Sequence, residues 1–253
     1  MRCMGGKFRQ GKIIAEFAHR VLTSDKVYVE PFCGALGSAS QVAHNRMILN
    51  DVCKPLILMW KGVYEGTITL PDSITEEQYN HYKQTRDMDD WMTAFCGFGI
   101  SFGGKWFGGY ARHTRGVEDP EYYVQGANRD INRKFQLMNG RNIKFSHLSY
   151  DQLKFPNNSV VYCDPPYEKR TKAHSHSFFD TPQYYDWCRS IVFERHIPLL
   201  VTAFEIPDDF RVLHSWGDTV VRHYAGKGSD GTNEVLACHR TQFKMFTKGK
   251  DNE

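Results

Sequence analysis

The stretch "VYVEPFCGALGSASQVAHNRMILNDV", residues 27–52, decides the fold. Val27 to Phe32 is a short run rich in β-formers, closed by Pro31 and the glycines after it, and reads as a buried strand. The loop "CGALGS" is built of small residues. "SASQVAHN" is read as opening a helix, and "RMILNDV" as a second strand with Asp51 at its C-terminal end. Strand, small-residue loop, helix, strand and acid is the order of a nucleotide-like ligand site on a doubly wound parallel sheet. The glycines let backbone come close to a ligand, the helix start offers N–H groups, and the closing acid accepts hydrogen bonds from ribose hydroxyls. Alone, the loop is equally readable as an ordinary strand-to-helix turn.

Upstream, "KIIAEFAHRVL" (residues 12–22) sets Ile13, Ile14, Phe17, Val21 and Leu22 at helical spacing. Downstream, the β-α rhythm stops between about Gly66 and Gly140. That segment holds a helix-like stretch over residues 75–91 and then "CGFGISFGGKWFGGYARHTRG", where glycines alternate with Phe98, Phe102, Trp106, Phe107 and Tyr110. The rhythm resumes with strands at "NIKFSHLSY", "SVVYC" and "IPLLVTAFE", a helix over 181–197, and a closing hairpin of "DTVVRHYA" with "NEVLACHR". The expected fold is α/β with a doubly wound, mostly parallel sheet. The expected units are residues 1–65 with 141–253 as one domain, and 66–140 as an inserted, largely helical subdomain.

At 253 residues the chain can bury a full core, and its 41% hydrophobic and 24% charged residues name no class by themselves. The net charge of +3 is uneven. From Ser101 to Lys144 eight Lys/Arg face four acids, so this stretch carries more than the net charge of the whole chain. Such a segment suits a polyanion, though a solvated charged face has the same composition. Seven scattered cysteines with no C-x-x-C spacing point to reduced thiols in a cytoplasmic protein and away from a zinc knuckle. No signal peptide and no apolar run of about 18 residues is found, so no membrane partner is expected.

"SVVYCDPPYEKR", residues 159–170, runs a buried strand into Asp164-Pro165-Pro166-Tyr167. Each proline fixes its own φ and biases the preceding residue toward extended backbone, and neither has an N–H to donate. The edge offered to a ligand is therefore acceptor-rich: the Asp164 carboxylate and the Pro165 carbonyl, beside the Tyr167 ring. A planar amine with two N–H donors suits that edge. Taken as an isolated tetrapeptide, it is also a rigid turn.

In order along the chain, "MGGK", "VEPFCGALGS", "LNDV", "YCDPPY" and "GTNEVLACHR" resemble the DNA adenine methylase (Dam-like) family of N6-adenine methyltransferases. The resemblance implies a Rossmann-like methyltransferase sheet and S-adenosylmethionine as methyl donor, with S-adenosylhomocysteine as product and no metal. It implies that Asp164, Pro165, Pro166 and Tyr167 hold the target base. It further implies that Cys3, Gly6, Lys7, Glu30, Phe32, Cys33, Gly34, Asp51 and Asp164 line the donor site. Cys3 stands where the family has an aromatic residue, and the second glycine of the Phe-x-Gly loop is displaced to Gly37. Lys105, Arg112, Arg115, Arg129, Arg133, Lys169 and Arg170 are the expected contacts to double-stranded DNA.

Hydrogen bonds from an exocyclic adenine amine to Asp164 and Pro165 localise its lone pair toward an incoming methyl group, and enzymes acting on bases flip the nucleotide out of the duplex to do so. The expected protein is a site-specific adenine-N6 methyltransferase, a monomer or weak dimer, of a bacterial or phage-infected cell. The open alternatives are a methyltransferase of the same fold on an RNA adenine or a cytosine, and a catalytically impaired DNA-binding homologue.

Overall fold

The computed structural model describes residues 1, 5–112, 119, 121–166, 179–217 and 233–247. Seven strands form one sheet: β1 (Val27–Glu30), β2 (Arg46–Asn50), β3 (Asn142–Ser146), β4 (Ser159–Cys163), β5 (Leu199–Ala203), β6 (Phe210–Trp216) and β7 (Glu234–His239). Their spatial order is β3-β2-β1-β4-β5-β7-β6. β1 to β5 are mutually parallel, whereas β7 runs antiparallel to both β5 and β6. This is the doubly wound, mostly parallel α/β sheet expected from residues 27–52.

The central strands are buried on both faces, as their unbroken apolar runs require. Successive side chains alternate between two layers. Val27, Val29, Val161, Cys163, Leu199 and Val201 face the helix α6 (Thr181–Phe193). Tyr28, Val160, Tyr162 and Leu200 face the opposite core, shared with α1 (Gly11–His19) and α2 (Lys54–Glu65).

Residues 66–140 supply no strand to the sheet among the described residues. They form α3 (Glu76–Thr85), α4 (Trp91–Ala94) running into a widened turn at Phe95–Gly99, and α5 (Tyr122–Leu137). α3 begins on a reciprocal cap between Thr75 and Gln78. Val124, Ala127 and Ile131 of α5 enter the same core as α1 and α2, so this segment packs directly on the sheet layer.

Two local readings change. "SASQVAHN" closes only one 3-10 turn, Ala39–Gln41, and is extended again by Val42; an eight-residue run of small polar residues is too short to sustain a helix alone. The hairpin partner of β7 is Phe210–Trp216, an edge strand with mostly exposed or half-exposed side chains and therefore a weak apolar signal. The stretch 218–225, read as that strand, lies outside the described residues. A short C-terminal helix, α7 (Phe243–Thr247), buries Phe246 in the core.

Candidate active site

The strand order reverses between β1 and β4: the chain passes from β1 outward to β2 on one side, and from β4 outward to β5 on the other. In such sheets the crevice outside the carboxyl ends of those two strands is where ligands bind. "PFCGALGS" leaves β1 there, and Asp164-Pro165-Pro166 leaves β4 there.

The first loop is held from below by β2. The Asn50 amide donates to the Pro31 carbonyl at 2.9 Å, and the Cys33 N–H donates to the Asn50 carbonyl at 2.7 Å. The Asp51 carboxylate accepts the Gly34 N–H and the Cys53 N–H, both at 2.9 Å. The indole of Trp60 donates to the Gly34 carbonyl at 2.9 Å. Burial pushes the Asp51 carboxyl above its ordinary value, against those two backbone donors that pull it down. Each carboxylate oxygen has more than one lone pair, so Asp51 organises the loop and keeps acceptor capacity toward the crevice. Beside it Val52 is 69% exposed, an apolar side chain standing at the mouth.

The second half of the site is an ionic cluster. Lys7, 4% exposed, places its ammonium 2.8 Å from Asp164 Oδ2, 3.0 Å from Glu234 Oε1 and 2.9 Å from the Gly5 carbonyl. Burial alone would lower the ammonium's pKa; the charges of Asp164 and Glu234 outweigh it and hold it above its ordinary value. The Thr202 hydroxyl lies 3.0 Å from Asp164 Oδ1 and 2.9 Å from the Tyr162 hydroxyl. Both oxygens of Asp164 are thus fixed, one by a cation and one by a hydroxyl. Pro165 is buried and Pro166 half-buried directly after it.

The structure moves several expected residues to other roles. Glu30 is fully buried; its carboxylate accepts the Tyr28 hydroxyl at 2.7 Å and the Ser38 hydroxyl at 3.0 Å, so it braces the loop from inside and does not line the crevice. Burial pushes its carboxyl up to about 8, although those two donors pull the other way. Cys33 is buried too, its thiol pushed well up by the same desolvation, and it shapes the loop through backbone alone. Phe32 packs edge-on to Phe179 and Tyr184 and tilted against Tyr150, on the α6 side of the sheet. Lys7 meets the acid of the Asp-Pro-Pro segment, and its three N–H donors already have acceptors. Gly6 is exposed beside it. Cys3 and Tyr167 lie outside the described residues.

The expected DNA contacts also divide. Arg112 is ion-paired with Glu76, and Arg133 pairs with Asp130 at 2.8 Å while lying 4.1 Å from the centre of the Phe8 ring. Glu76 offsets the Arg112 charge, whereas Asp130 is shared among Arg133, Lys134 and the N-terminal ammonium. Lys105 and Arg129 are exposed and make no ion pair among the described residues. Lys105 follows Phe102, which is 58% exposed on a loop closed by a Ser101–Tyr110 bridge and tied by the Gly109 N–H donating to the Tyr79 hydroxyl at 3.1 Å. Arg115, Lys169 and Arg170 lie outside the described residues.

Sequence reading missed Glu234, Thr202, Trp60 and Asn50. The available signals were faint: Thr202 is a lone polar residue within the buried run "LLVTAF", and Glu234 is an acid opening an apolar strand. Nothing local says which strand neighbours bring them to Asp164.

Residues 4–94 match the family model described as D12 class N6 adenine-specific DNA methyltransferase. No curated protein matches the chain. Among solved structures, the chain is similar to two of the rRNA methyltransferase AviRa from Streptomyces viridochromogenes, each at 14% identity. One match covers 92% of this chain and 84% of that chain at a TM-score of 0.42; the other covers 96% and 87% at 0.43.

Proposed function

We propose that the chain, whose residues 4–94 match the family model described as D12 class N6 adenine-specific DNA methyltransferase, methylates the exocyclic amine of an adenine in double-stranded DNA, with residues 66–140 reading the target. The observation that carries this is the edge at the end of β4: a clamped carboxylate, Asp164, followed by two residues that accept and never donate.

The crevice suits S-adenosylmethionine. Among the described residues the carboxylates of Asp51 and Asp164 stand at the crevice, negative charge that favours a sulfonium cation. Asp51 would accept hydroxyl hydrogens, the backbone of Phe32 to Gly37 would pass beneath, and exposed Val52 would meet the flat face of a purine. When bound, the donor supplies an electrophilic methyl group.

The protein's part is orientation and charge. The Asp164 carboxylate and Pro165 carbonyl accept the two N–H groups of a flipped adenine, which favours the localised nitrogen lone pair and leaves it facing the donor side. Positive charge that develops on that nitrogen is met by the preorganised Asp164. In the same reading Tyr167 stacks on the base, Lys105 and Arg129 contact phosphates, and Phe102 offers an aromatic ring to the duplex.

The test is incubation with methyl-labelled donor and separate DNA, RNA and protein acceptors, followed by digestion. N6-methyladenine from DNA is the expected product. Asp164→Ala should abolish it with nonspecific DNA binding intact; label confined to RNA or protein, or turnover retained in the variant, overturns the reading.

A further inference from the structure

Because β7 runs antiparallel to β5, its first residue lies at the same edge of the sheet as the carboxyl ends of β4 and β5, with Val235 opposite Ala203 and Leu236 opposite Thr202. That topology alone delivers Glu234 to the crevice. Glu234 is buried, and it lies 3.0 Å from the ammonium that is 2.8 Å from Asp164. Within the described residues Lys7 therefore serves two carboxylates, one just past the end of β4 and one at the start of β7.

We propose that Glu234 is a positioning residue for methyl transfer, holding Lys7 shared between itself and Asp164 so that Asp164 keeps a net negative charge toward the substrate amine. The inference rests on the methyltransferase reading above. A lysine committed to one carboxylate neutralises it and weakens it as a hydrogen-bond acceptor; a lysine divided between two neutralises neither fully. The same sharing fixes where the ammonium sits. Its third hydrogen goes to Gly5, which leaves Lys7 little freedom to close over both Asp164 oxygens, one of which belongs to Thr202. Glu234 touches neither base nor donor in this scheme. It acts through Lys7.

The experiment compares the full-length wild type with Glu234→Gln and Glu234→Asp, using unmethylated plasmid DNA and labelled S-adenosylmethionine. Glu234→Gln should lower kcat by about tenfold or more, with KM for DNA and donor moved by no more than about threefold. Among the described residues Asp164 is faced by Lys7, Glu30, Tyr162 and Thr202, with Glu234 across Lys7 from it. Removing the Glu234 charge leaves Lys7 to it, so the acid limb of kcat should move to lower pH. Glu234→Asp should recover a good part of the rate. A Glu234→Gln enzyme with wild-type kcat and pH profile overturns the proposal. So does a loss that follows a lowered Tm, leaves the pH profile in place and is not recovered by Asp. A wild type that labels no DNA overturns the methyltransferase reading itself, a separate result from an active wild type with an indifferent variant.

Discussion

Gly37 lies so close under Lys7 that a Cβ added to it would stand 2.8 Å from the Lys7 nitrogen and 2.7 Å from that of Phe8. The obstructing atoms are backbone and cannot rotate aside. The nucleotide-site loop and the lysine segment are thus packed through a position that only glycine fills. Gly37→Ala should cost about 1–3 kcal/mol of stability, from overpacking, and lower turnover beyond that by displacing Lys7 from Asp164. Urea unfolding beside initial rates checks it; an alanine variant of unchanged stability and rate shows that the two segments can separate at no cost.

Thr202 is the second support of Asp164. Thr202→Val removes the hydroxyl between Asp164 and buried Tyr162, and leaves the Tyr162 hydroxyl without that partner. The expected loss is about 1–3 kcal/mol in unfolding free energy, together with a reduced kcat at nearly constant KM. Equal kcat in the two proteins means that Lys7 alone holds the carboxylate.

The two arginines of α5 should differ. Arg129→Ala is expected to reduce the salt slope of DNA binding by about one counterion. Arg133→Ala should change the slope less, since the Arg133 side chain is held against Asp130 and over the Phe8 ring. Binding isotherms at four or five salt concentrations decide the matter, and equal slopes for both variants and the wild type take Arg129 off the DNA surface.

Phe102→Ala changes an exposed tip on a braced loop. Melting temperature should hold while DNA binding or turnover falls about tenfold, the scale of one lost aromatic stacking contact. A variant that binds and methylates like the wild type removes Phe102 from the interface.

Glu30 sets a pH dependence of the fold. Its folded-state value of about 8 lies above its ordinary 4.5, so the folded protein keeps a proton that the unfolded chain has released. The resulting stabilisation is complete below about pH 4.5 and is lost as the pH rises to about 8. By pH 7 the loss is about 3 kcal/mol, an order-of-magnitude figure. Glu30→Gln should therefore gain stability relative to the wild type between pH 5 and pH 8, as read from urea midpoints across that range. A constant difference between the two proteins shows that Glu30 is ionised throughout.

How far the sequence could be read follows from what is local. The β1 loop, Asp51 and the Asp-Pro-Pro edge are contiguous signals of backbone chemistry, and in the fold the first and last of them leave the ends of β1 and β4. The doubly wound, mostly parallel class was legible as well, because unbroken apolar strands must be covered on both faces. What was not legible depends on who neighbours whom. Glu30 looks like a site acid until Tyr28 and Ser38 are seen to satisfy it. Arg112 looks like a phosphate contact until Glu76 of the distant α3 lies against it. Glu234 and Thr202 carry no motif at all, and only the antiparallel β7 and its partner β5 bring them to Asp164.

The Lys7–Asp164–Glu234 cluster joins a residue near the start of the chain to one opening the last strand. Contacts of such long sequence separation form only after the intervening loop entropy has been overcome, and a growing chain cannot make them before β7 has left the ribosome. On the role proposed for Glu234, full competence for methyl transfer is therefore a late event in the molecule's own history. In refolding, recovered helix and strand content should precede recovered activity, and a chain stopped short of β7 carries the β1 loop and the Asp-Pro-Pro edge but lacks the Glu234 carboxylate that shares Lys7 with Asp164.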